Sequence, residues 1–126
     1  MPHTIIHNPQ EHYLEMKAWG SLMMDEAGEI ISELLQAVKE NNCPLILSDY
    51  RQATMDLSVA EIYLLPNKIA ETAASMELSG HKIKRALVAE EGSQNFHFFE
   101  TVTVNRGQPT KLFSTMDEAK KWLLQK

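Results

Sequence analysis

The sequence contains a single cysteine, Cys43, in 126 residues. One cysteine cannot close an internal disulfide, and without a second no C-x-x-C pair points to zinc. Cys43 precedes Pro44 and an apolar run, so it is expected as a small apolar residue at the edge of the core. Glycine is scarce, with five residues. Neither a phosphate-cradling glycine loop nor a dinucleotide fingerprint follows either of the two apolar runs expected as buried strands. Basic charge is in deficit: 12 Lys and Arg stand against 17 Asp and Glu, a formal net charge of −5. That balance disfavours nonspecific nucleic-acid binding, because no surplus of cations exists to displace counterions from phosphates. No uncharged apolar run approaches the roughly 18 residues that span a bilayer. The N-terminus, "MPHTIIHNPQ", shows no basic segment leading into a long apolar one. A cytoplasmic protein without a membrane span is expected.

The composition that remains, 44% apolar and 23% charged, suits one ordinary globular domain over residues 1–126. "TIIH" and "YLEMKAWGSL" alternate in part. Leu14, Met16 and Ala18 fall on one face and Glu15, Lys17 and Trp19 on the other, which predicts a half-buried strand. With the turn chemistry of "NPQE" between them, the two form an antiparallel pair. In "MDEAGEIISELLQAVKENN" the period changes. Ala27, Ile30, Ile31, Leu34, Leu35 and Val38 make one helical stripe, and Asp25, Glu26 and Glu29 suit the positive helix start.

"PLILSD" and "IKRALVAE" are short apolar runs, typical of strands covered on both faces. "SQNFHFFETVTVNRG" predicts a helix closed by Gly107, although its β-branched residues 101–104 favour a strand. "TKLFS" is a last strand. "TMDEAKKWLLQK" is a last helix, with Thr115 and Glu118 spaced as a capping box. The order β-β-α-β-α-β-α-β-α implies an α/β fold. Its sheet is mixed, of about five strands, with right-handed crossovers and helices chiefly on one face.

Between the two buried strands lies "TMDLSVAEIYLLP". Ser58-Val59-Ala60-Glu61 has the spacing of a capping box, in which the Ser58 hydroxyl accepts from the Glu61 amide and Glu61 reaches back. Pro66 is expected to break or kink the helix near Leu65, with "PNKIAETAASMEL" as a second segment. Tyr50, Arg51, Tyr63 and Leu64 are placed after the carboxyl end of the central strand, where open α/β sheets bind ligands. They are candidates for an exposed interaction patch. Arg51 and Arg106 would bind an anion if both reached the same edge. Lys82, Lys84 and Arg85 form a short basic cluster, expected to be solvated.

The strand, the loop and the helix start at Ser58 resemble the STAS domain of anti-sigma factor antagonists. The matching residues are Met55, Asp56, Leu57, Ser58 and Val59. "YLLPNKIAE", "KRALV", "FFETVTVNRGQ" and "DEAKKWL" resemble SpoIIAA-like STAS proteins of unassigned role, over nearly the whole chain. The resemblance implies a single STAS-like domain in which Ser58, flanked by Asp56 and Glu61, stands where the family carries its phosphorylated residue. Val59 replaces the family's glycine, and Leu57 the first hydroxyl residue of its motif.

Two readings of function follow from the resemblance. One is a noncatalytic protein-interaction module of regulatory type, with an unidentified protein partner. The other, implied by lipid-binding relatives of the fold, is a carrier of a small apolar ligand. The patch and an N-terminal edge strand point to a homodimer. No catalytic residues are assigned: a Ser58, His97 and Asp49 triad lacks the glycines of a nucleophile elbow. No cofactor is expected. His3, His7, His12, His81 and His97 are scattered, so no metal site is assigned either.

Overall fold

A computed structural model of the chain describes residues 2–125. Its elements run β1 (His3–Asn8), β2 (Tyr13–Leu22), α1 (Met24–Asn41), β3 (Leu45–Met55), α2 (Val59–Ser75), β4 (Lys84–Val88), α3 (Gln94–Asn105), β5 (Thr110–Phe113) and α4 (Met116–Leu123). One turn of 3-10 helix lies at Gly80–Lys82. The five strands form one sheet in chain order. β1 and β2 are antiparallel and every later neighbour is parallel, each reached through a helix, as parallel pairing requires.

The alternation of β2 places Leu14, Met16 and Ala18 in the core and leaves Lys17 and Trp19 exposed. The main core lies between one face of the sheet and α1, α2 and α3. Ile30, Leu34 and Leu35 meet Ile62, Leu65, Ile69, Phe96 and Phe99 there. α4 alone covers the opposite face, where Ala119 and Leu123 pack with Tyr13, Leu47, Ala86 and Val88. The helices are therefore chiefly on one face, and β3 and β4 are apolar on both sides because both sides are covered. Among the described residues, no helix is long and apolar enough to cross a membrane.

α3 is helical through Val104 despite its β-branched residues. Thr101 and Thr103 return their hydroxyls to the carbonyls of His97 and Phe99, at 3.1 and 2.6 Å. The break expected at Pro66 does not occur: α2 runs unbroken from Val59 to Ser75. A proline inside a helix costs about 3 kcal/mol. Burial of Ile62, Leu65 and Ile69, each worth about 1.5–3 kcal/mol, exceeds that cost. Pro66 is itself buried, and its carbonyl accepts from Gln108 Nε2 at 2.9 Å.

The expected basic cluster is also resolved differently. Lys84 Nζ caps the end of α4, donating to Trp122 O at 2.6 Å over the Trp122 ring. Arg85 points inward to Gln108 and Thr110, and burial lowers its pKa to about 10. At the outer edge of the sheet, the amide of Leu112 in β5 donates to the Glu100 carboxylate at 2.6 Å.

Three helices end on a residue with positive φ: Asn42 at 47°, Glu77 at 61° and Gly107 at 79°. In each, the next amide returns to the last helical turn: Cys43 to Val38, Leu78 to Ala73 and Gln108 to Thr103. Gly107 adopts this conformation freely and Asn42 readily, whereas Glu77 is strained in it; a Cβ at Gly107 would also meet the His81 ring at 3.0 Å. Gly107→Ala should therefore destabilise the fold by about 1–2 kcal/mol, whereas Glu77→Gly should stabilise it by up to about 1 kcal/mol. Urea midpoints of the two variants against wild type check this pair of opposite signs.

Candidate functional site

The segment between β3 and α2 is held at several points. The Asp56 amide donates to Leu22 O at 2.8 Å, and the Ser21 hydroxyl donates to the Asp56 carboxylate. Asn95 Nδ2 of α3 donates to Met55 O at 2.7 Å. Met55 and Leu57 are buried, and Asp56, Ser58 and Val59 face solvent. Ser58 is the N-cap of α2. Its Oγ accepts from the Glu61 amide at 3.1 Å, and its own amide donates to Glu61 Oε1 at 2.9 Å. At α4 the box is altered: Thr115 Oγ1 accepts from the Glu118 amide at 3.3 Å, and its hydroxyl donates to Glu118 Oε1 at 3.1 Å.

From this cap the outward face of α2 carries Val59 (67% exposed), Tyr63 (52%) and Leu64 (52%). Val59 and Tyr63 are four residues apart and share a face. The Arg106 guanidinium, at the end of α3, lies 5.2 Å from the Tyr63 ring centroid and donates to the Asn67 side chain. Arg106 thus steadies the exposed ring.

Tyr50 does not join this patch. β3 extends to Met55, so Tyr50 lies within the strand rather than after it. Its ring packs 5.0 Å from that of Phe96, and burial pushes its pKa up to about 12. Arg51 is paired with Asp49. The β2–β3 register slips between Lys17 and Trp19, so Tyr50 and Arg51 together oppose Ala18 in a β-bulge. Asp49 closes the bulge. Its carboxylate accepts from the Arg51 amide at 3.1 Å and from Arg51 Nε and Nη2 at 2.9 Å each. Burial raises the Asp49 pKa, but the Arg51 hydrogen bonds and the Arg51 and Lys17 charges together bring it below 3.8. Asp49 and Arg51 are thus engaged with each other, and Arg106 with Asn67 and Tyr63.

An apolar cavity between α1, α2 and the sheet, lined by Leu34, Ile46, Ile69 and Ile83, has a volume of about 20 Å³. That is room for one water and not for a lipid chain.

A grouping not foreseen lies at the other end of the sheet. His7, at the end of β1, His12, in the turn to β2, and Cys43, between α1 and β3, bring their ligand atoms within 4.8 Å of one another. The histidines look dispersed in sequence because the turn and the α1–β3 junction become neighbours only through the β2–β3 pairing. His12 turns the chain with a left-handed φ of 56°, a conformation for which histidine is only a weak marker.

No family model matches the chain, and neither does any curated protein. Two solved structures resemble it along nearly its whole length. An anti-sigma factor antagonist from Mycobacterium paratuberculosis superposes with a TM-score of 0.57 at 16% identity, covering 97% of this chain and 94% of the other. An uncharacterized protein of the DUF3478 family from Shewanella loihica PV-4, with a SpoIIAA-like fold, superposes with a TM-score of 0.60 at 19% identity, covering 97% and 92%. The chain therefore has the SpoIIAA-like fold of STAS domains.

Two outcomes are expected from the caps and the bulge. Ser58→Ala should cost about 1 kcal/mol in denaturant melts and Ser58→Asp should be nearly neutral, because aspartate also caps well. The Asp49–Arg51 pair contributes fully above the unfolded pKa of Asp49 and is lost as pH falls through its lower folded value. Asp49→Asn should lower the urea midpoint at neutral pH, with the deficit shrinking below about pH 4.

Proposed function

We propose that the protein is a noncatalytic interaction module of regulatory type that binds a protein partner through the outward face of α2. The observation that carries this reading is the Val59, Tyr63 and Leu64 stripe, which begins at the capped helix start and is steadied by Arg106. Large side chains standing in solvent on one helical face, with an aromatic ring held by a cation, have the composition of an interface centre. The fold shared with an anti-sigma factor antagonist supports a protein partner. The small volume of the apolar cavity weighs against a lipid-sized ligand. Ser58 borders the stripe, so a phosphate added there would place a double negative charge beside Glu61 and disturb the capping box. Phosphorylation at Ser58 would act on the same surface. The homodimer expected from the sequence is assigned to this surface as well.

Sedimentation of the wild type at tens of micromolar (an order set by weak interfaces) should show a dimer. Tyr63→Glu and Leu64→Glu should each yield a folded monomer. In affinity capture from the native cell, the same variants should lose the partner and Ser58→Asp should change its recovery. Unaltered dimerisation and capture in both α2 variants would place the interface elsewhere.

A further inference from the structure

We propose that His7, His12 and Cys43 form a site for a divalent transition metal ion of the zinc class, bound by two imidazoles and one thiolate with a fourth position open to solvent. The proposal is independent of the α2 surface and rests on three features of the residues themselves.

The first is spacing. His7 Nε2 and His12 Nδ1 face each other at 3.3 Å, and each of the three residues offers a ligand atom within 4.8 Å of the other two. Zinc bonds of about 2.0–2.3 Å in a tetrahedron set donor atoms roughly 3.3–3.8 Å apart. The imidazole pair already meets that separation, and a modest rotation of the side chains brings the sulfur to it.

The second is the orientation of His12. Its Nε2 lies 3.2 Å from Asn42 O, a carbonyl that can only accept. The neutral ring therefore carries its proton on Nε2 and presents the Nδ1 lone pair to His7. A ligating imidazole whose far nitrogen is held by a backbone carbonyl is the usual support of a bound metal. His12 holds this position from a left-handed backbone conformation, φ 56°.

The third is common anchorage. The carbonyl that holds His12 belongs to Asn42, the residue before Cys43, and the Cys43 amide is fixed to Val38 O at 3.0 Å. The imidazole and the thiol are thus positioned by one turn. The Cys43 thiol, which without an ion donates to Leu45 O at 3.8 Å, lies in the same turn, and a hairpin pinned by His12 to Asn42 would not require a second imidazole beside it.

Coordination balances simply. Without the ion, His7 Nε2–H donates to His12 Nδ1. On binding, His7 carries its proton on Nδ1 instead, with no net change. The Cys43 thiol loses its proton to the buffer as the metal–sulfur bond forms. Cys43 is fully buried, so the ion enters from the histidine side, and three ligands with an open position favour reversible loading over a permanent structural role.

The test uses the untagged, reduced full chain titrated with Co²⁺, then with Zn²⁺ in competition. One Co²⁺ per chain should bind, with a thiolate-to-cobalt charge-transfer band that Zn²⁺ abolishes. His12→Asn, which keeps the left-handed turn, should weaken Zn²⁺ binding by more than about tenfold. Cys43→Ala, checked for folding by circular dichroism, should lose the charge-transfer band. Absence of saturable uptake, persistence of the band in Cys43→Ala, or unchanged affinity in His12→Asn would each overturn the assignment.

Discussion

Burial of β3 on both faces is the constraint on which the rest of the molecule depends. Ile46 faces the three-helix core and Leu47 faces α4, so the strand can form only where both layers are present. It pairs with β2 along nearly its whole length but with β4 only over Leu45–Asp49, so its second half emerges from the covered region. The bulge at Tyr50 and Arg51 falls at this transition, and Asp49 supplies there the acceptor that an interrupted ladder removes. The position of α2 is fixed in turn by where the strand ends: Met55 is tied to α3, Asp56 to β2, and α2 starts with its first exposed turn beside that seam.

Much of this was legible from residue order. The alternation of β2, the stripe of α1, the two capping-box spacings and the closure of α3 at Gly107 are local patterns, and local hydrogen bonds or a single buried face decide them. Pro66 misled because its cost is local while its compensation is not. Gln108, the donor to the Pro66 carbonyl, lies on the far side of α3 in sequence. Tyr50 was misplaced for a related reason: the end of β3 is set by pairing with β2, which a run of apolar residues ending at Asp49 does not announce. Lys84 and Arg85 are adjacent in the chain, yet one caps α4 and the other lies beneath α3, because neighbours in a strand face opposite sides.

The two ends of the sheet offer different chemistry. At the carboxyl end of β3, exposed apolar and aromatic side chains stand beside charged groups, Asp56 and Arg106, that are held in hydrogen bonds. At the opposite end, soft and borderline-soft ligand atoms converge. A shared fold with an anti-sigma factor antagonist specifies neither arrangement, because the functional groups of a fold are carried by particular residues rather than by its topology. Here the residues that resemble the STAS motif serve as structure: Leu57 packs inward, and Ser58 holds a helix end.

The carboxylate of Glu100 bonded to the Leu112 amide bears on how copies of this domain can assemble. An added strand at β5 would have to displace a charged acceptor from that edge before any ladder could form. Unlimited growth of a sheet through successive molecules requires both borders to be receptive. With β5 blocked in this way, edge-to-edge pairing could not propagate beyond two copies, whichever surface joins a dimer. One side chain from a neighbouring helix is thus enough to turn an open-ended polymerisation problem into one with a closed solution.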